Sequence, residues 1–358
     1  MLEFIKEKKN CWDRLAACEL PIFIYGMGDG ALKIMAVMEE YRIPVAGFFA
    51  SDEYVRGHVF EQHKVHSLAE IEGILEEFVI VLAFAAGYPA LIRKVTDLSG
   101  RHPLLAPDVP VAGEGHFTYE YAVRNADKIQ QVYELLADDF SRRVFADVLN
   151  FKISGKIEYL NQASSPRADV FRDILPLSGE ETYLDLGAYN GDTLTEFLEL
   201  TGGRHREIFA LEPDKKNFRK LIKTAGGREG IHTLPAAAWS HDTVLPFLTR
   251  AGRQSALSAS PSSVKAGQVP ARSVDSILAG KACTLIKMDV EGAEKEALLG
   301  AEQTIRSFSP KLMVSLYHRD EDLFELPLLV HQMNPAYRLY IRHQPYIPAW
   351  ETNLYAVQ

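Results

Sequence analysis

Thr182-Tyr-Leu-Asp-Leu-Gly-Ala-Tyr-Asn-Gly-Asp-Thr193 decides the fold. Its first five residues are the apolar, β-favouring run of a buried strand. Gly187 and Gly191 then bracket a turn, and a helix is expected over 193–200. A strand that runs through a Gly-rich turn into a helix is the opening unit of a parallel α/β sheet. Glycines there let the backbone approach a ligand closely, and the helix start offers unpaired amides.

Working outward, 207–211 reads as the next strand and 215–224 as its helix. Residues 231–239 and 244–248 are strand-like, 285–289 is a strand, 294–308 a helix, and 311–316 a strand. The stretches 337–341 and 353–357 read as a closing antiparallel pair. This is a doubly wound sheet over 171–358. Upstream the alternation appears once more: strands at 22–25, 45–49 and 78–83, with helices at 32–41 and 68–77 and a short one within 1–20. That is a smaller Rossmann-like α/β domain, 1–112, ending at the Pro-rich stretch 102–110. Between them, 113–170 has apolar residues at helical spacing (Ile129, Val132, Leu135, Leu136; Val144, Phe145, Val148, Leu149) and no strand-like run. It is a helical connector, readable as a lid, an interdomain brace or the surface of a homodimer.

The 358 residues exceed one ordinary domain, which agrees with two units and a connector. With 39 basic and 48 acidic side chains the formal charge is −9. An acidic surface repels phosphate backbones, so nucleic acid is not expected as a general partner, though methylation through a local basic patch stays open. The start carries charges where a signal peptide needs an apolar run. No apolar stretch is long enough to cross a bilayer, so no membrane is expected. Cys11, Cys18 and Cys283 make no metal-ligand or redox spacing, which fits a reducing, cytoplasmic setting.

The chemistry is expected in the second unit. Asp185, at the strand end, suits a cationic ligand or an amino group better than a pyrophosphate. Asp185, Gly187, Ala188, Tyr189, Asn190, Gly191, Asp192 and Thr193 form the candidate cofactor turn. Glu212-Pro213-Asp214 ends the second strand, where an acid accepts both ribose hydroxyls. Together these favour a positively charged adenosyl ligand, S-adenosylmethionine. Lys287-Met-Asp289-Val-Glu291-Gly292-Ala-Glu294 ends the strand of 285–289, at the crevice where ligands bind. Asp289 and Glu291 there position a hydroxyl nucleophile. Asp289, or His318 one strand further on, is the candidate base.

These strings resemble the FkbM family of S-adenosylmethionine-dependent O-methyltransferases, over about 171–358. The resemblance rests on 185–193, on Glu212-Pro-Asp, and on Val269-Pro-Ala-Arg-Ser-Val-Asp275. It rests most of all on Ile286-Lys-Met-Asp-Val-Glu-Gly-Ala-Glu294 continuing to Leu299-Gly-Ala301. It implies a class I methyltransferase fold, with Asp185, Gly187, Asn190 and Glu212 around the cofactor. It implies Asp289 and Glu291 near the reacting centre, and acceptors such as hydroxyls of sugars, polysaccharides or related metabolites. One feature departs from many class I enzymes. No Asp or Asn precedes the alanines in Leu234-Pro-Ala-Ala-Ala-Trp239, which leaves the backbone near Ala237 to meet the adenine and Trp239 to shield it.

Plainer readings stand beside these. Glu294 opens a helix, where an acid is also a favourable first-turn charge. His318 precedes Arg319, Asp320, Glu321 and Asp322, a run that is usually a solvated loop, and its spacing matches no helix-borne pair of metal ligands, so no metal is expected. Arg342 and His343 read as a surface pair or as contacts to an acidic substrate. Gln254-Ser255, in the loop 250–267, reads as a lid or as a loop with no role. Gly26-Met-Gly28-Asp-Gly30-Ala31 follows a strand and opens a helix, and Asp52 lies where a ribose-binding acid would. The alternative function is therefore a nucleotide-sugar- or NAD-binding protein acting through the first domain.

Overall fold

The protein is described from a computed structural model, which describes residues 2–55, 57, 59–248, 256–257 and 267–358. The first unit holds strands β1 (Ile22–Tyr25), β2 (Gly47–Phe49), β3 (Val59–Phe60), β4 (His63–His66), β5 (Val79–Leu82) and β6 (Leu104–Leu105). They form one sheet in the order β3-β4-β2-β1-β5-β6, parallel except for the β3–β4 pair. The runs of β1, β2 and β5 are apolar without alternation because both faces are covered. These three strands, expected from the sequence, are at its centre; β3 and β6 are two residues long, and β4, His-Lys-Val-His, is too polar to read as a strand.

Five helices follow between Tyr119 and Asp173, the longest Asp139–Ser154. The second unit contains β7 (Thr182–Leu186), β8 (Glu207–Leu211), β9 (Ile231–Leu234), β10 (Ala237–Ala238), β11 (Thr243–Leu248), β12 (Ala256–Leu257), β13 (Gly267–Arg272), β14 (Leu285–Met288), β15 (Lys311–Ser315), β16 (Arg338–His343) and β17 (Thr352–Val357). Seven of these make a sheet in the order β16-β17-β15-β14-β7-β8-β9. Its strands are parallel except β17, which runs antiparallel between β15 and β16. Strand order reverses between β7 and β14, and the reversed penultimate position of the last strand is the signature of a class I methyltransferase fold.

Three departures from the sequence reading have physical causes. The strand expected over 231–239 breaks at Pro235 into β9 and β10, and β10 joins a separate four-stranded sheet, β10-β13-β11-β12. The helix expected over 294–308 is two, Glu294–Leu299 and Glu302–Phe308. A Cβ on Gly300 would stand 2.1 Å from the Trp239 carbonyl, so the chain passes close to the small sheet there and the helix restarts. The charged run after His318 is not a solvated loop. Asp320 and Asp322 are buried, and Asp322 accepts the Arg319 amide (2.9 Å) at the start of a helix, Asp322–Met333, that also encloses Pro327.

The burial of Asp320 follows from the connector. Lys152, on the long helix and nearly inaccessible, pairs with Asp108 and lies 3.2 Å from Asp320. Burial would strip its proton, but the two carboxylates outweigh that and hold it charged. One cation thus ties the first unit's exit segment to the second unit. Around it the Ala112 amide donates to the His318 carbonyl (2.8 Å), and Arg319 Nε donates to the Gly292 carbonyl (2.8 Å). Lys152→Met leaves two buried carboxylates without their cation. It should destabilise the full chain by ~3–5 kcal/mol, read from urea unfolding midpoints. Adding Asp108→Asn and Asp320→Asn should recover part of that loss.

Candidate active site

The parallel strands of the large sheet end at a cavity of about 640 Å³. Its floor is set by Gly187, at φ +80°, where a Cβ would lie 1.9 Å from the Asp289 carbonyl. The amides of Gly187 and Ala188 donate to the Leu211 carbonyl at 3.1 and 2.8 Å, pinning the turn to β8. Tyr189, also at positive φ (+46°), turns its amide onto Glu212 Oε2 (2.9 Å), while the Asp214 amide bonds Oε1 (2.8 Å). Each Glu212 oxygen has a fixed orientation and a spare lone pair. Burial pushes its carboxyl up to about 7 against the pull of those amides.

The turn residues divide. Gly187, Tyr189, Asp192 and Thr193 line the cavity with Glu212, Pro213 and Ala237. Ala188 is buried behind the turn, Asn190 caps it by accepting the Asp192 amide (3.1 Å), and Gly191 packs on Thr224. Asp185 is fully enclosed beneath. It accepts Thr193 Oγ1 (2.5 Å) and lies 3.2 Å from Lys287 Nζ. The negative charge expected from Asp185 is therefore offset by a cation, and its work is to hold Lys287, which also donates to the Gly187 carbonyl (2.8 Å). Burial disfavours the Lys287 ammonium, and Asp185 and Asp289 overcome that. Trp239 packs with the small sheet's apolar cluster and is not on the cavity wall; Phe247 lines the wall beside Ala237 and Ala238 instead.

Asp289, Glu291 and His318 converge as expected. Three contacts meet on Asp289 Oδ1: Tyr317 OH (2.8 Å), Ser315 Oγ (3.1 Å) and His318 Nε2 (3.5 Å). Burial would raise Asp289, but Lys287, His318 and these hydroxyls outweigh it and hold the carboxyl below its usual range. His318 is almost wholly enclosed, with Nδ1 2.9 Å from the buried Glu294 and Nε2 3.7 Å from Glu291. Burial disfavours its cation, yet Glu294, Asp289 and Glu291 push it up to about 10. Three carboxylates thus favour its protonated form, which argues against the base role expected of it. Glu291, at φ +55°, is pushed up to about 7, chiefly by burial. Asp289, Glu294 and His318 each put one ligand-type atom within 4.8 Å of the others. Within this group His318 Nδ1 and Glu294 Oε1 stand 2.9 Å apart, an ion-pair contact.

The opposite wall was not legible in the sequence. It draws Gly87 and Val111 from the first unit, Arg167 from the connector, and Gln344, Tyr346, Trp350 and Glu351 from the β16–β17 loop. A Cβ on Gly87 would stand 2.4 Å from the Tyr346 ring, and Ala86 and Ile347 exchange backbone hydrogen bonds (2.7 and 3.0 Å). The first unit thus seats that loop with the segment that follows β5. In its glycine turn Gly26 faces the Phe84 ring and Gly30 the Ala83 carbonyl, while a Cβ on Gly28 would meet open space. Arg167 is held by Glu196 (2.6 and 2.9 Å). Arg342 and His343 do not reach the cavity. Arg342 pairs with Asp138 (2.7 Å), and His343 is buried against Thr352 (3.0 Å) and the Tyr346 carbonyl (3.1 Å), with burial pushing it down to about 4. Gln254 and Ser255 lie outside the described residues.

Residues 185–347 match the family described as the Methyltransferase FkbM domain. The second unit is an FkbM methyltransferase domain. A solved methyltransferase FkbM from Methylobacillus flagellatus KT is 24% identical, with 99% of this chain and 92% of that chain covered and a TM-score of 0.73, so the fold of both units is shared. Fibrillarin from Aeropyrum pernix with natively bound S-adenosyl-L-methionine is 12% identical over 53% of this chain and 73% of that one, with a TM-score of 0.34. No curated protein matches significantly. The FkbM domain takes S-adenosylmethionine as its methyl donor. The residues fit it: an oriented carboxylate with spare lone pairs at the second strand, a turn stripped of side chains at Gly187, and an apolar slot at Ala237, Ala238 and Phe247.

Hydroxyl donors favour the ionised form of Glu212, which is lost below about pH 7. Calorimetric affinity for S-adenosylhomocysteine should therefore weaken as pH falls below 7, approaching tenfold per unit. Glu212→Ala should bind at least tenfold more weakly at pH 8, with a flat pH profile.

Proposed function

We propose that this FkbM-domain methyltransferase transfers the methyl group to a hydroxyl oxygen of a sugar-like acceptor, either a small molecule or a glycan. The observation that carries this reading is Glu291. A carboxyl near 7 on the cavity wall, beside the ionised Asp289, is the base an unactivated hydroxyl needs at neutral pH. The facing wall supports a polyol. The Tyr346 and Trp350 rings, 6.1 Å apart and 30° from parallel, give flat apolar surfaces, and Gln344, Asn353 and Glu351 give polar partners.

The cofactor, when bound, supplies an electrophilic methyl carbon. The chain supplies position and a proton acceptor. Asp289 takes its three contacts on Oδ1, which leaves Oδ2 to accept from the acceptor hydroxyl and orient it. Glu291 takes the hydroxyl proton. His318, clamped by Glu294, keeps Asp289 ionised and fixes the spacing of the two carboxylates. We place the reaction in the cytoplasm, where the free thiols Cys11, Cys18 and Cys283 persist.

The test is methyl incorporation from labelled S-adenosylmethionine into a panel of methyl glycosides and polysaccharides. With an acceptor found, kcat/KM for that acceptor, measured at saturating S-adenosylmethionine so that Glu212 does not contribute, should rise with pH through about 7. Glu291→Gln should lose that limb and about 10²–10⁴ in turnover while binding S-adenosylhomocysteine normally. Asp289→Asn should keep the fold and also lower turnover strongly. Full turnover in Glu291→Gln would remove it as the base.

A further inference from the structure

We infer that the helix Lys215–Ala225 is a docking surface for an anionic lipid bilayer. Its sequence, Lys-Lys-Asn-Phe-Arg-Lys-Leu-Ile-Lys-Thr-Ala, holds five cations and no acid, in a chain of net charge −9. Leu221 and Ala225 are buried against the sheet and Phe218 packs beside them. Lys215, Lys216, Arg219, Lys220 and Lys223 are all exposed. Helical spacing puts Lys215, Arg219 and Lys223 in one row, with Lys216 and Lys220 in the next.

These cations have no acidic partners. Among the described residues none of the five forms an ion pair; Lys220 stands 5.8 Å over the Tyr189 ring. The helix Arg167–Asp173 shows the ordinary arrangement, with Arg167 on Glu196 and Arg172 on Asp169 and Asp173. The basic helix instead stacks like charges four residues apart at Lys215/Arg219, Lys216/Lys220 and Arg219/Lys223, which destabilises a helix. An anionic surface relieves that repulsion.

The residue types choose the surface. Four of the five cations are lysines, point charges without the planar fork that Arg offers to phosphates of nucleic acid. The stripe has no exposed aromatic anchor of the kind that centres a protein interface. Its flank is aliphatic at Ile222, which lies on the same helix and is 47% exposed. Clustered lysines beside an exposed aliphatic side chain match an anionic headgroup layer above acyl chains. The contact is peripheral, since no helix among the described residues is long and apolar enough to cross a membrane. It acts within a Debye length, so the acidic remainder of the molecule does not cancel it. Asn217, on the inner side of the same helix, lines the cavity, so docking would hold the cofactor mouth close to the bilayer. This peripheral surface revises the expectation of no membrane, which rested on the lack of a spanning stretch, and it does not depend on the acceptor's identity.

The test is cosedimentation of the full chain with vesicles of phosphatidylcholine alone and of phosphatidylcholine with phosphatidylglycerol at about 7:3, with heparin binding measured in parallel. The wild type should bind only the phosphatidylglycerol vesicles and be released between about 0.1 and 0.5 M salt. The combined variant Lys215→Glu, Lys216→Glu, Arg219→Glu, Lys223→Glu should lose at least about a hundredfold in partition while keeping its S-adenosylhomocysteine affinity. No vesicle binding at low salt, equal binding by a folded variant, or binding to heparin without binding to vesicles would each overturn the proposal.

Discussion

One close approach organises the molecule. Gly187 passes so near the Asp289 carbonyl that a single added carbon would sit 1.9 Å from it. This happens where β7 and β14, adjacent and parallel, both reach their carboxyl ends at the point where strand order reverses. The loop after β7 turns one way and the loop after β14 the other, and the gap between them is the crevice. A side chain at 187 would fill it. Because it stays empty, the cofactor turn, Glu212 and the Asp289–Glu291 pair face one volume, and the rest of the structure walls that volume in.

The electrostatics of the site extend the same economy. A buried acid beside the turn would be costly alone, and Asp185 is answered by Lys287. Asp289, Glu291 and Glu294 crowd together, and the His318 imidazolium between them makes the crowding tolerable. The consequence is an ordering of carboxyls. Asp289 is held ionised by several donors, whereas Glu291, with weaker compensation, sits near neutrality. Two acids two residues apart thereby acquire different chemistry, and the difference comes from what surrounds them. A second buried cation, Lys152, performs a structural version of this, joining Asp108 and Asp320 and so bracing the segment that carries His318.

What was legible in the sequence was whatever local pattern controls. The central strands, β7 and β8 to the residue, the glycine turn, Glu212 and the Asp289–Glu291 string are short contiguous signals, because a strand's apolar run and a turn's glycines must lie next to one another in the chain. What failed depended on distant partners. Asp320 and Asp322 looked solvated because nothing adjacent reveals that Lys152, far upstream, is there to compensate a buried acid. Arg342 and His343 looked like a surface pair or substrate contacts, yet Asp138 holds Arg342 at 2.7 Å and His343 is buried. Trp239 looked like a shield for adenine, but the break at Pro235 sends that strand into a separate sheet, and Phe247 arrives at the cavity in its place.

The sequence by itself determined the fold class, the family of the second unit and the residues at the strand ends, since each rests on periodicity or on a contiguous motif. Tertiary structure decided which of those residues face the cavity and which proton each one holds. Burial and opposing charge set an ionisation state, and both are supplied by residues tens to hundreds of positions away. It also decided how the first unit meets the second. Read alone, that unit offered a glycine turn with nucleotide binding or docking as its two readings; in place, Gly87 seats Tyr346 and Val111 lines the cavity, because the chain between the units folds back and buries Asp108 against Lys152.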